Sequence, residues 1–502
     1  MRVLEGPVGE ALGSWIRRRI VARLGRRDKL LLMGGDAVAL LAAFFLGRLG
    51  AWWWSDLSLL DSYLVWWEQQ GAVRLFVFLG LVAVALLGFW NLGHYTQRKP
   101  FWDELRETWR VLLGLAAVDA VLVFLGRWDF SRVWLITAWA FSLALVPFFR
   151  VQIKWALIRA GRWMRPTAIL GVGQNARDAA AALRSEPLLG YDVVAFLAPP
   201  GDQDDLPEHV ELADRCVPVL ALGENPHAVL DYLGSPHLVV ALEEGGLPQH
   251  QRMLKRLSLC YQDMNIVPAF GGLPILGMEI THFFSHEVLM LRVRNNLARR
   301  GPQIIKRSFD IVGSALLLIL LSPVFAYLAY RVRLTGGPAI YGHARVGQHG
   351  KSFRCYKFRS MVPNADEVLR ELLATDPQAR AEWERDFKLK NDPRITPIGA
   401  FLRKTSLDEL PQLWNVLRGE MSLVGPRPVV TAELERYGDE LAYYLEARPG
   451  MTGLWQISGR NDVDYGFRVY LDTWYVKNWS LWYDVVILMK TFNVVFGRKG
   501  AY

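Results

Sequence analysis

Cysteine is scarce in this chain. The three present in 502 residues, Cys216, Cys260 and Cys355, stand far apart and form no CxxC pair. That spacing gives neither a disulfide framework nor a thiolate zinc site. Acidic residues are outnumbered, 49 Asp and Glu against 58 Lys and Arg, a formal charge of +9, so an anionic partner is expected. The small residues of a signal-peptide cleavage site are missing. Trp52-Trp53-Trp54 ends the first apolar stretch where they would lie, and no cleaved leader is expected.

Apolar residues and tryptophan are abundant. The chain is 52% hydrophobic with 20 Trp, and its mean hydropathy is +0.14. Indoles concentrate at membrane interfaces. The excess positive charge therefore reads as attraction to an anionic lipid surface rather than to nucleic acid.

Four apolar stretches occupy the first third: Leu30–Trp54, Leu75–Trp90, Val111–Leu125 and Val133–Phe149. Each approaches the ~20 residues that cross a bilayer. They read as apolar all round, with no polar stripe of the kind a soluble helix carries. Arg17, Arg18, Arg19, Arg23, Arg26, Arg27 and Lys29 precede the first stretch. The next connection carries Asp56, Asp61 and Glu68 against Arg74 alone. The third holds Arg98, Lys99, Arg106 and Arg110, and Arg150, Lys154, Arg159, Arg162 and Arg165 follow the fourth. Cationic flanks stay inside, so both ends of a four-helix transmembrane unit (residues 30–150, after a basic cytoplasmic terminus, 1–29) are expected in the cytoplasm.

Residues 160–275 change character. Apolar runs at Thr167–Leu170, Val193–Leu197, Val217–Leu222 and Leu238–Leu242 alternate with helical pattern, which predicts a parallel, Rossmann-like α/β domain. Gly171-Val172-Gly173-Gln174-Asn175-Ala176 fits a dinucleotide fingerprint. The fingerprint also wants an acidic residue closing the second strand, and Ala198-Pro199-Pro200 stands there. A spacer or assembly role is the favoured reading of this domain.

Ile311–Tyr330 is apolar over about twenty residues, long enough to span. Lys306 and Arg307 precede it, Arg331 and Arg333 follow it, and Ser322-Pro323 interrupts it. A proline bends a helix. A re-entrant helix over 300–335 that enters and leaves by one face satisfies both observations. A straight span with a tolerated proline is the alternative.

The remainder, 336–502, opens with a stretch dense in Gly, Pro, Arg and Lys, a composition suited to loops that hold phosphates. Arg345-Val346-Gly347 and Lys357-Phe358-Arg359-Ser360-Met361 form a first cluster, which by itself reads as an edge strand with solvated cations. A second runs from Arg403 to Pro411 and contains Asp408-Glu409. Ser406 and Glu409 have capping-box spacing, but Pro411 would then fall inside the helix. If Pro411 opens the helix instead, it runs to Arg418 and Gly419 ends it. Adjacent carboxylates are too close to flank a glycosidic bond. They can divide labour, one attacking an electrophile and the other holding a hard cation such as Mg²⁺. Arg403 could steady a phosphate beside them. The third cluster is Ser422-Leu423-Val424-Gly425-Pro426-Arg427-Pro428, in which two prolines aim Arg427.

These clusters resemble the bacterial sugar transferase family, the monotopic phosphoglycosyl transferases. The resemblance rests on KFRSM (357–361), TSLDELPQLWNVLRGEMSLVGPRP (405–428), PGMTGLWQISGRN (449–461) and the Ser322-Pro323 break. It covers the C-terminal ~200 residues specifically and the rest more loosely, as in the family's long members. It implies a compact α/β catalytic domain on a re-entrant helix in a multi-pass protein of the bacterial inner membrane, with that domain cytoplasmic. It implies Asp408 as nucleophile, forming an aspartyl-phosphosugar as UMP leaves a UDP-sugar. Glu409 would hold Mg²⁺, and Lys357, Arg359, Arg403, Arg427 and Arg460 would handle phosphates. The acceptor would be undecaprenyl phosphate, and analogy with long members suggests a homodimer. The ending, 470–502, resembles members that use galactose, with glucose second. Trp474, Trp479 and Trp482, interrupted by Asp484 and Lys490, read as an interfacial segment. Arg292, Arg294, Arg299 and Arg300 are candidates for lipid headgroups. Two rivals fare worse. A nucleotide-sugar dehydratase or epimerase needs a Tyr-x-x-x-Lys pair, absent from Arg165–Phe270. A scaffold gives no reason for the Asp-Glu pair or for Arg427 between prolines.

Overall fold

A computed structural model describes residues 26–496, except 53–63, 65, 127–130, 201–205, 213–214, 223–225, 235, 261–263, 270–271, 273, 277, 283–288, 294–295, 298, 387–388, 390–391 and 459–463. The chain divides into two units, Met1–Phe270 and Gly271–Tyr502.

The first unit opens with four helices long and apolar enough to cross a membrane: α1 (Arg26–Trp52), α2 (Ala72–Asn91), α3 (Phe101–Leu125) and α4 (Arg132–Arg159). Their shared core is aromatic. Phe44, Phe78 and Trp134 are essentially inaccessible and pack ring against ring. Contrary to the expectation from sequence, these segments are not apolar all round. Arg74, assigned from sequence to a connection, lies in α2 and is ion-paired with Asp119 of α3, both side chains fully buried. Arg150 donates to Asp36 of α1 at 2.8 Å and Lys154 pairs with Glu104. A buried charge is too costly to leave alone in hydrocarbon, so polar positions of this kind face inward in pairs. Arg150 and Lys154 are thus internal ties of α4 rather than free flanking charges.

The second part of this unit is a sheet. Its strands are β1 (Arg165–Leu170), β2 (Tyr191–Ala198), β3 (His209–Leu212), β4 (Arg215–Ala221), β5 (His237–Val240) and β6 (Met264–Ile266), with α5 (Gln174–Ser185) between β1 and β2. The order is β3-β4-β2-β1-β5-β6, all parallel except β3 against β4. β1, β2 and β5 are almost wholly buried, as strands covered on both faces must be. Arg98, read as a flanking charge, donates to the carbonyls of Trp163, Leu189 and Gly190 beside this sheet.

The second unit carries α6 (Arg300–Leu320) and α7 (Ser322–Arg333), which meet at 65°. The break falls at Leu321, where the Pro323 ring and its missing N–H end the α6 ladder, and Ser322 Oγ donates to the Ile319 carbonyl at 2.8 Å. Next come the hairpin β7 (Ile340–Val346) and β8 (Ser352–Phe358), then α8 (Pro397–Thr405), α9 (Gln412–Arg418), β9 (Ser422–Val424), β10 (Gly450–Thr452), α10 (Tyr465–Lys477) and α11 (Leu481–Phe496). Lys306 of α6 is buried, donating to Asp484 at 2.7 Å and to the Val424 carbonyl at 3.0 Å. Trp479 is 3% exposed and donates to the same Asp484. Lys306 is therefore no flanking charge. Trp479 and Asp484, read as interfacial, belong to the core, because the Lys306–Asp484 ion pair and the Trp479 hydrogen bond to it need the shelter that α10 and α11 provide. Arg292, a lipid candidate, pairs with Glu279 at 3.7 Å on the surface, and Arg299 and Arg300 are exposed.

Candidate active site

The Asp408-Glu409 pair stands on a one-turn connection between two capped helices. Thr396 Oγ1 accepts the Gly399 N–H at 3.0 Å and Pro397 takes the first helical position, so α8 starts sharply. It ends at Ser406, whose φ is +55°. That left-handed conformation is unusual for a residue with a Cβ. Ser406 makes no side-chain cap: its capping-box spacing is not used, the serine closes α8, and the next helix opens at Pro411, as the proline's position suggested. Leu407–Glu409 form a single 3₁₀ turn, Pro411 caps α9, and Gly419, at φ +84°, ends it.

Asn415 of α9 fixes this connection against β8. Its Nδ2 donates to the Arg354 carbonyl at 2.7 Å and its Oδ1 accepts the Tyr356 N–H at 3.0 Å. The next residue, Lys357, is thereby delivered to the pair. Its Nζ lies 2.6 Å from Glu409 Oε1 and 3.8 Å from Asp408 Oδ2. Lys357 is thus not the solvated strand cation of the simplest reading. Burial raises the Asp408 pKa, Glu409 adds to the rise, and Lys357 and Arg403 oppose it; the net shift is upward. Burial pulls the Lys357 ammonium down, but Glu409 and Asp408 outweigh it and the net shift is up. The three groups form one coupled cluster, partly open to solvent, with Asp408 the more enclosed carboxylate.

Arg403 Nε donates to Ser360 Oγ at 2.9 Å. Close packing makes this contact possible, because Gly399 sits directly against the Ser360 carbonyl and any Cβ there would collide with it. Arg359 points elsewhere. It is buried and donates to the carbonyls of Val332 and Gly336 and to Thr335 Oγ1, closing the end of α7. Arg460 lies outside the described residues.

The second and third motifs are brought together by a parallel ladder, β9 on β10. Gly450 N–H donates to the Pro426 carbonyl at 2.8 Å and Tyr444 OH to the Arg427 carbonyl at 2.9 Å, which aims Arg427. Its guanidinium sits 5.5 Å from the Trp455 ring centre, and Arg468 sits 5.4 Å from the same ring. Asp472 is buried beneath them and accepts from Tyr437 OH at 2.9 Å. Burial pushes its pKa up to about 7 although Tyr437, Arg427 and Arg468 draw it down. Sequence reasoning missed Arg468 and Asp472, which stand in ordinary helical pattern. It also missed Asp310 of α6, whose Oδ1 accepts Ser422 Oγ at 2.9 Å and Leu423 N–H at 3.0 Å. Arg307 meanwhile donates to the Val416 and Leu417 carbonyls that end α9. A lone acid at the start of an apolar run was the available signal for Asp310. Through Lys306, Arg307 and Asp310, α6 is bolted to the chain on both sides of Gly419.

The family described as bacterial sugar transferase matches residues 301–498. The undecaprenyl-phosphate galactose phosphotransferase of Salmonella typhimurium is 52% identical over 87% of this chain and 90% of its own length. The chain belongs to the bacterial sugar transferase family. As a member it is an enzyme, a sugar phosphotransferase. The UDP-galactose-lipid carrier transferase of Erwinia amylovora is 51% identical over 84% of this chain and 87% of that protein. The UDP-glucose:undecaprenyl-phosphate glucose-1-phosphate transferase of Escherichia coli is 30% identical over 87% of this chain and 92% of that protein. Residues 91–223 also match a family described as CoA-binding domain.

Proposed function

We propose that this enzyme transfers a sugar 1-phosphate, galactose 1-phosphate in preference to glucose 1-phosphate, from a UDP-sugar to undecaprenyl phosphate. The product would start an O-antigen, capsule or exopolysaccharide repeat in the bacterial inner membrane. The observation that carries the reading is the Lys357-held Asp408-Glu409 pair, on a segment bolted to the bent helix pair α6–α7. The nucleophile of such a reaction must meet a lipid phosphate at headgroup depth, and a helix that enters the bilayer sets that depth. The preference for galactose rests on the higher identity to the galactose-named relatives, 52% and 51% against 30%.

In this mechanism an Asp408 carboxylate oxygen attacks the sugar-bearing phosphorus of the UDP-sugar. The new O–P bond forms as the bond from that phosphorus to the bridging oxygen breaks, and UMP leaves with the electron pair. An oxygen of undecaprenyl phosphate then attacks the same phosphorus and expels Asp408. Lys357 keeps Asp408 ionised for the first step. Arg403, fixed by Ser360, and Arg427, fixed by its prolines and Tyr444, meet phosphate oxygens with planar forks.

The residues fit a Mg²⁺ ion. Among the described residues no three His, Cys, Asp or Glu side chains gather at one point. A pair of carboxylates is the usual protein share for Mg²⁺, with phosphates and water completing the shell. Glu409 would hold the ion, which when bound supplies charge neutralisation on the diphosphate.

The α6–α7 pair reads as re-entrant, with the catalytic domain cytoplasmic. Arg299 and Leu334, both exposed, flank it and would report one side of the membrane when replaced singly by cysteine and labelled. Labelling from opposite sides contradicts the reading. The reaction class is tested with purified protein, Mg²⁺, undecaprenyl phosphate and either UDP-galactose or UDP-glucose. UMP release with faster use of UDP-galactose is expected; UDP release contradicts the chemistry.

A further inference from the structure

The sheet of the first unit has a topological switch. From β1 the chain winds outward through β2 and β4 on one side and through β5 and β6 on the other. Crevices at such points, beyond the carboxyl ends of the strands, are where doubly wound sheets take ligands. A cavity of about 390 Å³ lies there, lined by the segments that follow β1, β2 and β5, a volume suited to a small organic ligand.

In a glycine-loop site the N-terminus of the first helix receives a phosphate. Here that place is filled from within. Glu243, just beyond β5, accepts the Asn175 N–H at 2.8 Å with its Oε1. The absent side chain of Gly173 makes room for this carboxylate, since a Cβ there would collide with it. Asn175 Nδ2 locks the arrangement by donating to the Leu242 carbonyl at 2.8 Å and the Val267 carbonyl at 3.0 Å. CoA, which the family description for residues 91–223 implies, carries a diphosphate that would meet this carboxylate. The residues do not fit it. Glu243 also lies outside the matched segment. Glu244 adds a second carboxylate to the lining and Arg177 a single cation. His250 lines the same cavity, is 7% exposed, and its ring meets no partner among the described residues. Val172, Pro199, Leu206 and Pro207 supply an apolar wall.

We propose that Glu243 stands where a glycine loop ordinarily binds phosphate, and that the cavity beside it takes an uncharged nucleoside and rejects CoA and other diphosphates. The apolar wall covers the base, the carboxylates accept the ribose hydroxyls, and His250 supplies one polar contact on the floor. Adenosine, ADP and CoA share a base and differ in phosphate, so they isolate the point. Titration calorimetry of the full-length protein in lipid nanodiscs is expected to show saturable adenosine binding, with ADP and CoA at least about tenfold weaker, roughly 1.4 kcal/mol. Glu243→Ala should strengthen CoA at least about tenfold and weaken adenosine. Glu243→Gln, which keeps an oxygen for Asn175 and so preserves the fold, should move both ligands the same way. His250→Leu should weaken adenosine and leave CoA rejected. CoA binding as tight as adenosine, absence of adenosine binding, unchanged CoA affinity in both Glu243 variants, or displacement of adenosine by UDP would each overturn the proposal.

Discussion

Lys357 Nζ lies 2.6 Å from Glu409 Oε1 and 3.8 Å from Asp408 Oδ2, so one cation serves two adjacent carboxylates. Burial raises the Asp408 pKa and Lys357 holds the rise back. Activity that needs ionised Asp408 is present above that pKa and is lost as pH falls through it. Lys357→Met should therefore move the acid limb of kcat/KM to higher pH. It should also lower the plateau about 10²-fold, the scale for losing one charge stabiliser at a reacting centre. An unmoved acid limb would separate Lys357 from the pair.

Gly399 and Gly301 make a matched test of packing. A Cβ at Gly399 would strike the Ser360 carbonyl, whereas Gly301 faces open space. Gly399→Ala should cost about 1–3 kcal/mol in thermal unfolding, the range for overpacking. It should also lower turnover, because it displaces the Ser360 hydroxyl that fixes Arg403. Gly301→Ala should change stability by less than about 1 kcal/mol.

The Arg74–Asp119 pair is fully buried between two apolar helices. Removing one partner by Arg74→Met strands a carboxylate, and a loss of about 3–5 kcal/mol is expected. The double replacement Arg74→Met with Asp119→Leu should recover most of it. Unfolding in detergent measures both. Asp119→Leu alone completes the cycle, and a loss in the double variant equal to the sum of the two single losses would mean the pair has no mutual energy.

Asp472 has a raised pKa of about 7. The folded protein therefore binds a proton there that the unfolded chain has already released, and this contribution to stability fades as pH rises through about 7. Asp472→Asn removes the dependence. Its melting temperature relative to the parent should be more favourable at pH 8 than at pH 5, and a constant difference across that range would contradict the assignment.

Much of this was legible in the sequence because its signals were local. Pro411 and Gly419 bound α9, Ser322-Pro323 follows the bend, and the β1, β2, β4 and β5 runs declared themselves by composition. What stayed hidden depended on partners distant in sequence. Asp36, Arg74 and Asp119 look like scattered charges until helix packing pairs them. Ser406 mimics a capping-box residue because three-residue spacing is shared by many helix ends and starts. Glu243 is 70 positions after Gly173, and only sheet topology brings them together. Asp484 and Trp479 look interfacial until Lys306, nearly two hundred residues earlier, is found paired with Asp484.

The most direct test of the account is the mass of the intact protein after incubation with Mg²⁺ and UDP-galactose, with undecaprenyl phosphate withheld. A protein-bound hexose phosphate is expected, mapping to the peptide that contains Asp408, absent in Asp408→Asn and discharged when undecaprenyl phosphate is added. UMP release by the parent without any adduct, or an adduct that persists in Asp408→Asn, would contradict it.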